Sequence, residues 1–347
     1  MTNGVADKKQ NEVSFGFLKG SDLGEREQEV LEDAAARTGF VPDRLIGRSA
    51  WWGSSEIGAF HWAGKFEGKR AVLKIQGVRP SVSEIYMIES FARNNKSKVI
   101  RPPFLYASIP WDEQRHYEAL ILEHIDGPKI IQTPTTTPQV KHFFELYLDY
   151  RQNCRHSPWV EKYEDSLSAH IADQFERWRD TSSKIYPNHP FRKEEDSSLI
   201  DSAVELLIRE YKEVEPEYMH GHFSENDLYQ VGDKVVVLSN LYWSWRQPLY
   251  DAVFGYHWFI YHLNTVERIT SKMIEEQRNI WLSKIKDLPE AQSEEGKKLL
   301  NLALLERAAA GLNLDGLSSD VNKPISSYLL ESTRKNIKSL LDELNRQ

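Results

Sequence analysis

The chain has 347 residues, 40% of them hydrophobic and 28% charged, and its 44 basic and 52 acidic side chains give a net charge of -8. This length suits one large two-lobed domain or two average ones, and the acidic balance disfavours nonspecific attraction to nucleic acid or anionic lipid. Cys154 is the only cysteine, which excludes an intramolecular disulfide and any multi-cysteine metal site.

The first part of the chain predicts a β-rich unit. Residues 1–24 look loosely ordered and contain no apolar run of signal-peptide length, so we expect a cytoplasmic protein. Gly39 ends a short helix, and "FEGKR" is typical of a hairpin turn. The predicted elements are a helix at 25–38, β-type runs at 59–68 and 69–76, a helix at 81–95, and β-type runs at 102–110 and 117–125.

From about residue 139 the pattern becomes helical. The most apolar window, 241–263, is interrupted by charged residues and a proline, so it predicts a loop and a buried helix and no membrane partner. The predicted helices cover 138–152, 167–180, 199–214, 250–263, 294–311 and 325–344, with one β-type run at 234–239.

These patterns predict an α+β fold in which a small β-rich lobe precedes a larger helical lobe. We expect an N-terminal extension with a short helix at 1–44, a β-rich lobe at 45–130 and a helical lobe at 131–347. A ligand site would then lie where the two lobes join.

Six segments occur in an order and spacing typical of one enzyme family. They are "AVLKIQ", a helix with an early glutamate, "LILEHIDG", "HGHFSEND", "KVVVLSN" and "PLYD". Over about residues 45–345 the chain resembles the aminoglycoside phosphotransferase and choline kinase branch of the protein-kinase-like superfamily. The resemblance implies a protein-kinase-like two-lobed fold and transfer of the γ-phosphoryl group of ATP or GTP to a hydroxyl of a small molecule.

The resemblance places nucleotide-binding residues in the first lobe. Lys74 matches the lysine that neutralises the α- and β-phosphates. Glu84 matches the helix glutamate that orients this lysine, and Glu89 is the competing candidate. Gly53 and Gly58 occupy the place of the glycine loop that covers the phosphates.

The segment at 120–127 resembles the hinge between the lobes of the family. In such a hinge, backbone groups form hydrogen bonds to the edge of the adenine ring. The resemblance assigns this role to Glu123, His124 and Ile125.

The catalytic segment departs from the family pattern. Members usually show His-Gly-Asp, with Asn five residues after that Asp, and a second Asp at the end of the next strand. Aligned without a gap, His220 and Gly221 match, but His222 stands at the position of the catalytic Asp. Asp227 replaces the Asn, and Ser239 replaces the metal-binding Asp.

These exchanges should impair metal binding more than proton transfer. Mg²⁺ prefers hard oxygen ligands, and a serine hydroxyl cannot offset its charge as a carboxylate does. Asp251 matches the last residue of "PLYD" without an insertion, so a shifted alignment does not explain the exchanges. The sequence therefore predicts a pseudokinase that retains at most a site for ATP or GTP, with Mg²⁺ binding doubtful.

Two alternatives remain open. His222 can accept a proton near neutral pH, and Asp227 with Glu225 could hold one ion, which describes a working phosphotransferase with rearranged metal ligands. His220 and His222 also have the His-x-His spacing of metal-dependent hydrolases, although the other histidines form no comparable clustered motif. The acceptor, the oligomeric state and any small-molecule or protein partner stay unassigned.

Overall fold

The computed structural model describes residues 13–14, 17–18, 24–49 and 57–346. It contains two compact units, one formed by Met1–Glu89 with Pro103–Ile125 and the other by Ser90–Pro102 with Asp126–Gln347. The first unit is built on a β-sheet and the second is mostly helical. The predicted α+β fold class is therefore confirmed.

The first unit is organised around a seven-stranded sheet in which every neighbouring pair of strands is antiparallel. Strands are numbered along the whole chain, and β6 belongs to the second unit. From one edge of the sheet to the other, the strands are β1 (Val13–Ser14), β2 (Phe17–Leu18), β3 (Val41–Ser49), β4 (Ala59–Phe66), β5 (Lys69–Gln76), β8 (Tyr117–Glu123) and β7 (Leu105–Asp112).

Helix α1 (Glu25–Thr38) shares one core with this sheet. Val30 and Leu31 of the helix pack in the same apolar cluster as Phe60 and Leu73 of the strands. Each such buried side chain contributes roughly 1.5–3 kcal/mol relative to exposure. The helix expected in an N-terminal extension is thus part of the first unit, and the predicted lobe boundary at residue 45 falls inside β3.

The β4–β5 hairpin follows its predicted turn. Glu67 and Gly68 adopt φ angles of 49° and 76°. Positive φ at both central residues is the geometry of a two-residue turn whose twist matches that of antiparallel strands. The turn fixes the register in which Lys74 of β5 lies opposite His61 of β4.

The second unit consists mainly of helices. One apolar cluster of this unit joins α4, α5, α8 and α9 through residues such as Phe175, Leu207, Leu305 and Leu330. The helices that belong wholly or partly to this unit are α2 (Glu84–Asn94), α3 (Thr137–Asn153), α4 (Leu167–Ile185), α5 (Glu195–Glu210), α6 (Tyr250–His262), α7 (Ser271–Lys286), α8 (Glu294–Asn313) and α9 (Pro324–Leu344).

Two small sheets complete the second unit and carry the catalytic-loop-like segment. One has the order β10-β11-β6 and the other pairs β12 with β9. Because β6 pairs in parallel with β11, residues 90–102 belong to the second unit, although the sequence predicted them in the β-rich lobe. The strands are β6 (Ile100–Arg101), β9 (Glu217–Met219), β10 (Leu228–Val231), β11 (Lys234–Val237) and β12 (Ser244–Arg246).

Several elements were not predicted from the sequence, among them β3 and α7. Strand β3 has two register irregularities, and each bulge resets the alternation of apolar residues that would reveal a strand. Helix α7 places Gln277 and Arg278 on its buried face, which interrupts its apolar stripe. Within the described part of the chain, no helix combines the length and apolar composition needed to span a membrane.

Candidate functional site

In the first unit, the structure joins Lys74 to Glu84. The two side chains form an ion pair, with 14% of the lysine and 3% of the glutamate side chain exposed. Gln76 donates a second hydrogen bond to Glu84 Oε2 at 2.6 Å. Glu84 lies in the first turn of α2, where the helix dipole favours a negative charge, whereas Glu89 is exposed.

A second carboxyl group near this ion pair was missed from the sequence. Glu118 of β8 is fully buried, and Ser83 donates a hydrogen bond to its Oε2 at 2.5 Å. Burial raises the pKa of Glu118, and the hydrogen bond from Ser83 lowers it only in part. An acid in the otherwise apolar run "YEALIL" was the signal that could have revealed this residue.

The predicted glycine loop and hinge are placed as follows. Gly53 lies outside the described residues, and the Gly58 carbonyl accepts a hydrogen bond from the Gly77 N–H at 3.1 Å. The Glu123 N–H donates to the carbonyl of Phe104, the residue before β7, at 2.9 Å. To bind adenine, this N–H would have to give up that hydrogen bond, so the predicted adenine contact would have to use other backbone groups of Glu123, His124 and Ile125.

The other two hinge residues were predicted to contribute backbone groups. His124 Nε2 lies 3.2 Å from a guanidinium nitrogen of Arg70, and Ile125 is partly buried. The His124 side chain is therefore oriented by the first unit.

In the second unit, a buried tyrosine holds the start of the catalytic-loop-like segment. Tyr150 of α3 donates to Asp251 Oδ2 at 2.8 Å, and the same hydroxyl accepts a hydrogen bond from the His220 backbone N–H. Gly221 has φ 74°, and a Cβ there would lie 2.4 Å from the Tyr242 carbonyl oxygen. The segment thus requires glycine at 221 and is tied to α3 and α6 by hydrogen bonds.

His220 itself is a core residue. Its ring is fully buried and lies 5.1 Å from the Trp243 ring and 6.4 Å from the Phe223 ring. Burial lowers the pKa of His220 to about 3, so the imidazole is neutral at physiological pH. Its packing among aromatic rings gives no support to the predicted role as half of a His-x-His metal site.

The three exchanged positions are joined through Asp227. The His222 Nδ1 atom lies 2.8 Å from Asp227 Oδ2, and Ser239 Oγ donates to Asp227 Oδ1 at 2.5 Å. Ser224, which the sequence did not single out, donates to Oδ2 at 2.5 Å. We call these four residues the Asp227 cluster.

The Asp227 cluster keeps its carboxylate ionised. Burial alone would raise the pKa of Asp227, but the interaction with His222 and the hydrogen bonds from Ser224 and Ser239 hold it below its ordinary value. An ionised carboxylate only accepts hydrogen bonds, so Nδ1 of His222 carries the proton that it shares with Asp227. Nε2 is then the nitrogen that does not face Asp227. The His222 ring stacks on the Tyr242 ring, with the ring centroids 4.6 Å apart.

These residues do not fit a Mg²⁺ site. The carboxylate of Asp227 already accepts three hydrogen bonds, and the other two positions contribute an imidazole and a hydroxyl. Glu225, the predicted second ligand, is buried and pairs with His262 Nδ1. Among the residues that the structure describes, no group of three or more His, Cys, Asp or Glu side chains could hold a metal ion.

No protein-family model matches the sequence, and no curated protein matches it significantly. Solved structures do match its fold. The apo form of a thermostable mutant of aminoglycoside phosphotransferase APH(4)-Ia has a TM-score of 0.55 at 11% identity, covering 90% of this chain and 98% of that one. Choline kinase from Cryptosporidium parvum Iowa II has a TM-score of 0.55 at 13% identity, and the match covers 92% of this chain and 97% of the choline kinase chain.

A ternary complex of the same phosphotransferase with ADP and hygromycin B is also similar, with a TM-score of 0.54 at 10% identity and coverage of 90% and 98%. At these identities the similarity establishes the fold. The protein-kinase-like two-lobed fold implied by the sequence motifs is therefore confirmed.

Proposed function

We propose that this chain is a cytoplasmic pseudokinase, a degenerate relative of the aminoglycoside phosphotransferases and choline kinases that binds ATP or GTP without Mg²⁺ and transfers no phosphate. The observation that carries the proposal is the closed hydrogen bonding of the Asp227 cluster. The family resemblance assigns the catalytic base and the metal ligands to three of its residues. In this chain those residues bind one another.

The proposal of nucleotide binding depends on how Lys74 is held in the first unit. Lys74 is mostly buried and is held by Glu84, which in turn is held by Gln76. A lysine fixed in this way loses little conformational entropy when it contacts a phosphate. The similar phosphotransferase was solved with ADP, which makes adenine nucleotides the first ligands to test.

Replacing Lys74 with alanine should abolish nucleotide binding. A ligand that binds only the native state raises the melting temperature by mass action, so ATP or GTP should stabilise the wild type equally with and without Mg²⁺. Lys74→Ala should show no such shift. Thermal-shift titrations check this, with Lys65→Ala as the matched control because Lys65 is exposed on the neighbouring strand β4.

The same titrations separate the alternatives. Stabilisation that requires Mg²⁺, together with phosphate transfer, would replace the proposal with a working phosphotransferase. A wild type that no nucleotide stabilises would contradict nucleotide binding altogether. A shift that persists in Lys74→Ala would place the nucleotide elsewhere.

Replacing Ser239 with aspartate should create sensitivity to Mg²⁺. Ser239 Oγ lies 2.5 Å from Asp227 Oδ1, so the new carboxylate would stand beside an ionised one. Ser239 has φ 59° and ψ 40°, a left-handed conformation that aspartate tolerates well, so repulsion should dominate over backbone strain. The variant should melt below wild type in a chelator and recover when Mg²⁺ is added.

Melting curves of wild type and Ser239→Asp over a Mg²⁺ series provide the measurement, and Ser239→Ala controls for loss of the hydroxyl. If Mg²⁺ also stabilises the wild type, the Asp227 cluster binds the metal ion without a second carboxylate, which contradicts the proposal. If Mg²⁺ does not change the melting temperature of Ser239→Asp, the carboxylates at 227 and 239 do not lie close enough to bind one ion, and the prediction is wrong.

One observation favours a second candidate, a phosphotransferase with an altered base. An Asp that holds the Nδ1–H of a histidine leaves Nε2 free to accept a proton, and this arrangement orients general bases in other enzymes. The His222–Asp227 pair has that arrangement. Phosphate transfer that is lost in His222→Gln would support this candidate over the pseudokinase.

A further inference from the structure

The sheet of the first unit has two faces of different character. Along β8, Tyr117 belongs to the apolar core that the sheet shares with α1. Glu118 lies on the opposite face, because side chains alternate along a strand. On that face Glu118 stands opposite Gln76 of β5, two residues after Lys74. The carboxyl of Glu118 is thus on the same face of the sheet as Lys74.

Glu118 is a buried acid that forms no ion pair with a cation in the described part of the chain. An uncompensated buried acid is unfavourable, so its hydrogen bonds decide what it does there. Its Oε2 accepts the hydrogen bond from Ser83 at 2.5 Å, and a hydrogen bond from the Glu84 backbone N–H also acts on the carboxyl. Both donors belong to the start of α2, so the carboxyl binds the beginning of that helix.

Ser83 links this carboxyl to the first turn of α2. A hydroxyl has one proton, and because Ser83 donates it to Glu118, its lone pairs remain for the helix. Ser83 Oγ accepts from the Ile85 N–H at 3.2 Å, and the Ser83 carbonyl accepts from the Met87 N–H at 3.1 Å. These are the hydrogen bonds of an N-cap residue. Glu84 follows directly as the first residue of the helix, so fixing Ser83 fixes the direction of the Glu84 side chain.

We propose that Glu118 is a positioning residue that acts on Lys74 through the start of α2. By binding Ser83, it fixes the turn from which Glu84 reaches Lys74. The inference rests on the proposed nucleotide function, in which Lys74 contacts a phosphate. A lysine that is already held in place loses less conformational entropy on binding, so removing the Glu118 carboxyl weakens nucleotide binding.

Replacing Glu118 with methionine separates this role from a general effect on stability. Methionine has a similar volume but no oxygen acceptor. The relief of no longer burying an acid should offset the lost hydrogen bond, so Glu118→Met should melt close to wild type. It should nevertheless bind ATP roughly tenfold more weakly. Glu118→Gln keeps an oxygen that accepts from Ser83, and it should bind ATP as wild type does.

Calorimetric titration of the full chain with ATP gives these affinities. Ser83→Ala removes the same hydrogen bond and should also weaken ATP binding roughly tenfold. Ser90→Ala is the matched control, because Ser90 lies later on α2 and its hydroxyl has no hydrogen-bond partner among the described residues. It should bind ATP as wild type does.

The double variant Glu118→Met with Ser83→Ala tests whether the two residues act together. Residues that act through one shared contact give non-additive losses, so the double variant should bind ATP no more weakly than either single variant. A loss of roughly a hundredfold would mean that the two act independently, and it would overturn the proposal. Wild-type affinity in Glu118→Met would overturn it as well.

A measurement without nucleotide distinguishes failure of this inference from failure of the proposed function. Acetic anhydride reacts with neutral lysine amines, and mass spectrometry gives the rate at each lysine. A carboxylate partner keeps an amine charged and unreactive, so Lys74 should react roughly tenfold faster in Glu118→Met than in wild type or Glu118→Gln. The exposed Lys65 is the internal reference and should react at one rate in all three.

The two readouts decide separate questions. If Lys74 responds as expected but ATP does not bind the wild type, the nucleotide function fails and the positioning of Lys74 by Glu118 stands. Equal Lys74 rates in wild type, Glu118→Met and Glu118→Gln would overturn the inference whatever ATP does. If Glu118→Met does not fold, Ser83→Ala provides both measurements with the same expected results.

Discussion

Replacing Asp227 with alanine is expected to lower the free energy of unfolding by about 3 kcal/mol. The carboxylate is buried and accepts hydrogen bonds from His222, Ser224 and Ser239. Its removal leaves three polar groups without their acceptor and opens a small cavity. The free energy of unfolding of a native protein is typically about 5–15 kcal/mol, so this loss is a large share of the total stability.

Urea unfolding at neutral pH measures this change, and Ser239→Ala is the matched control. That variant removes one of the three donors and should cost only about 1 kcal/mol. The pKa of Asp227 is lowered on folding, so its contribution is present above its ordinary value of 3.8 and should disappear as the pH falls below that value. An Asp227→Ala variant as stable as wild type would mean that the cluster does not form in solution.

Replacing Glu306 with glutamine is expected to stabilise the protein by about 3 kcal/mol at pH 8 and to change little near pH 4. Glu306 lies on α8 and is fully buried. Burial raises its pKa from 4.5 to about 7, against the lowering effects of Arg307 and Arg246. Ionising this carboxyl therefore costs more in the folded than in the unfolded state.

The sign of the pH effect follows from this difference. Between pH 4.5 and about 7 the folded state binds more protons than the unfolded state, so stability falls as the pH rises through this window. Glutamine cannot ionise and should remove this slope. Its amide can also donate to Gln247 Oε1, which has no hydrogen-bond partner among the described residues, while accepting from Gln247 Nε2.

Urea unfolding of wild type and Glu306→Gln across this pH range gives the test. Glu295→Gln, on the exposed face of the same helix, is the control and should not gain the stability that Glu306→Gln gains at pH 8. If the free energies of unfolding of Glu306→Gln and wild type differ by the same amount at pH 4 and pH 8, the pKa of Glu306 does not change on folding and the prediction is wrong.

The order of motifs predicted the fold and the pairing of Lys74 with a helix glutamate because these features depend on local elements. Lys74 lies on a strand with a clear apolar pattern, and Glu84 opens the next helix. The sequence left Glu84 and Glu89 as alternatives because both lie on α2. Only the rotation of the helix against the sheet distinguishes the buried Glu84 from the exposed Glu89.

The hydrogen bonds within the Asp227 cluster could not be predicted in the same way. Ser239 meets Asp227 across twelve residues, after the β10–β11 hairpin and a left-handed backbone conformation have turned the chain back. Ser224 was overlooked because its position three residues before Asp227 is common in turns.

The Asp227 cluster also constrains the order in which its residues can change during evolution. Acquiring an acid at 222 or 239 first sets two carboxylates side by side, because both positions contact the same buried anion. If residue 227 becomes neutral first, the anion is removed, but His222 and Ser239 lose the acceptor of their hydrogen bonds. Each single step lowers stability, so the three positions should be inherited together as one unit.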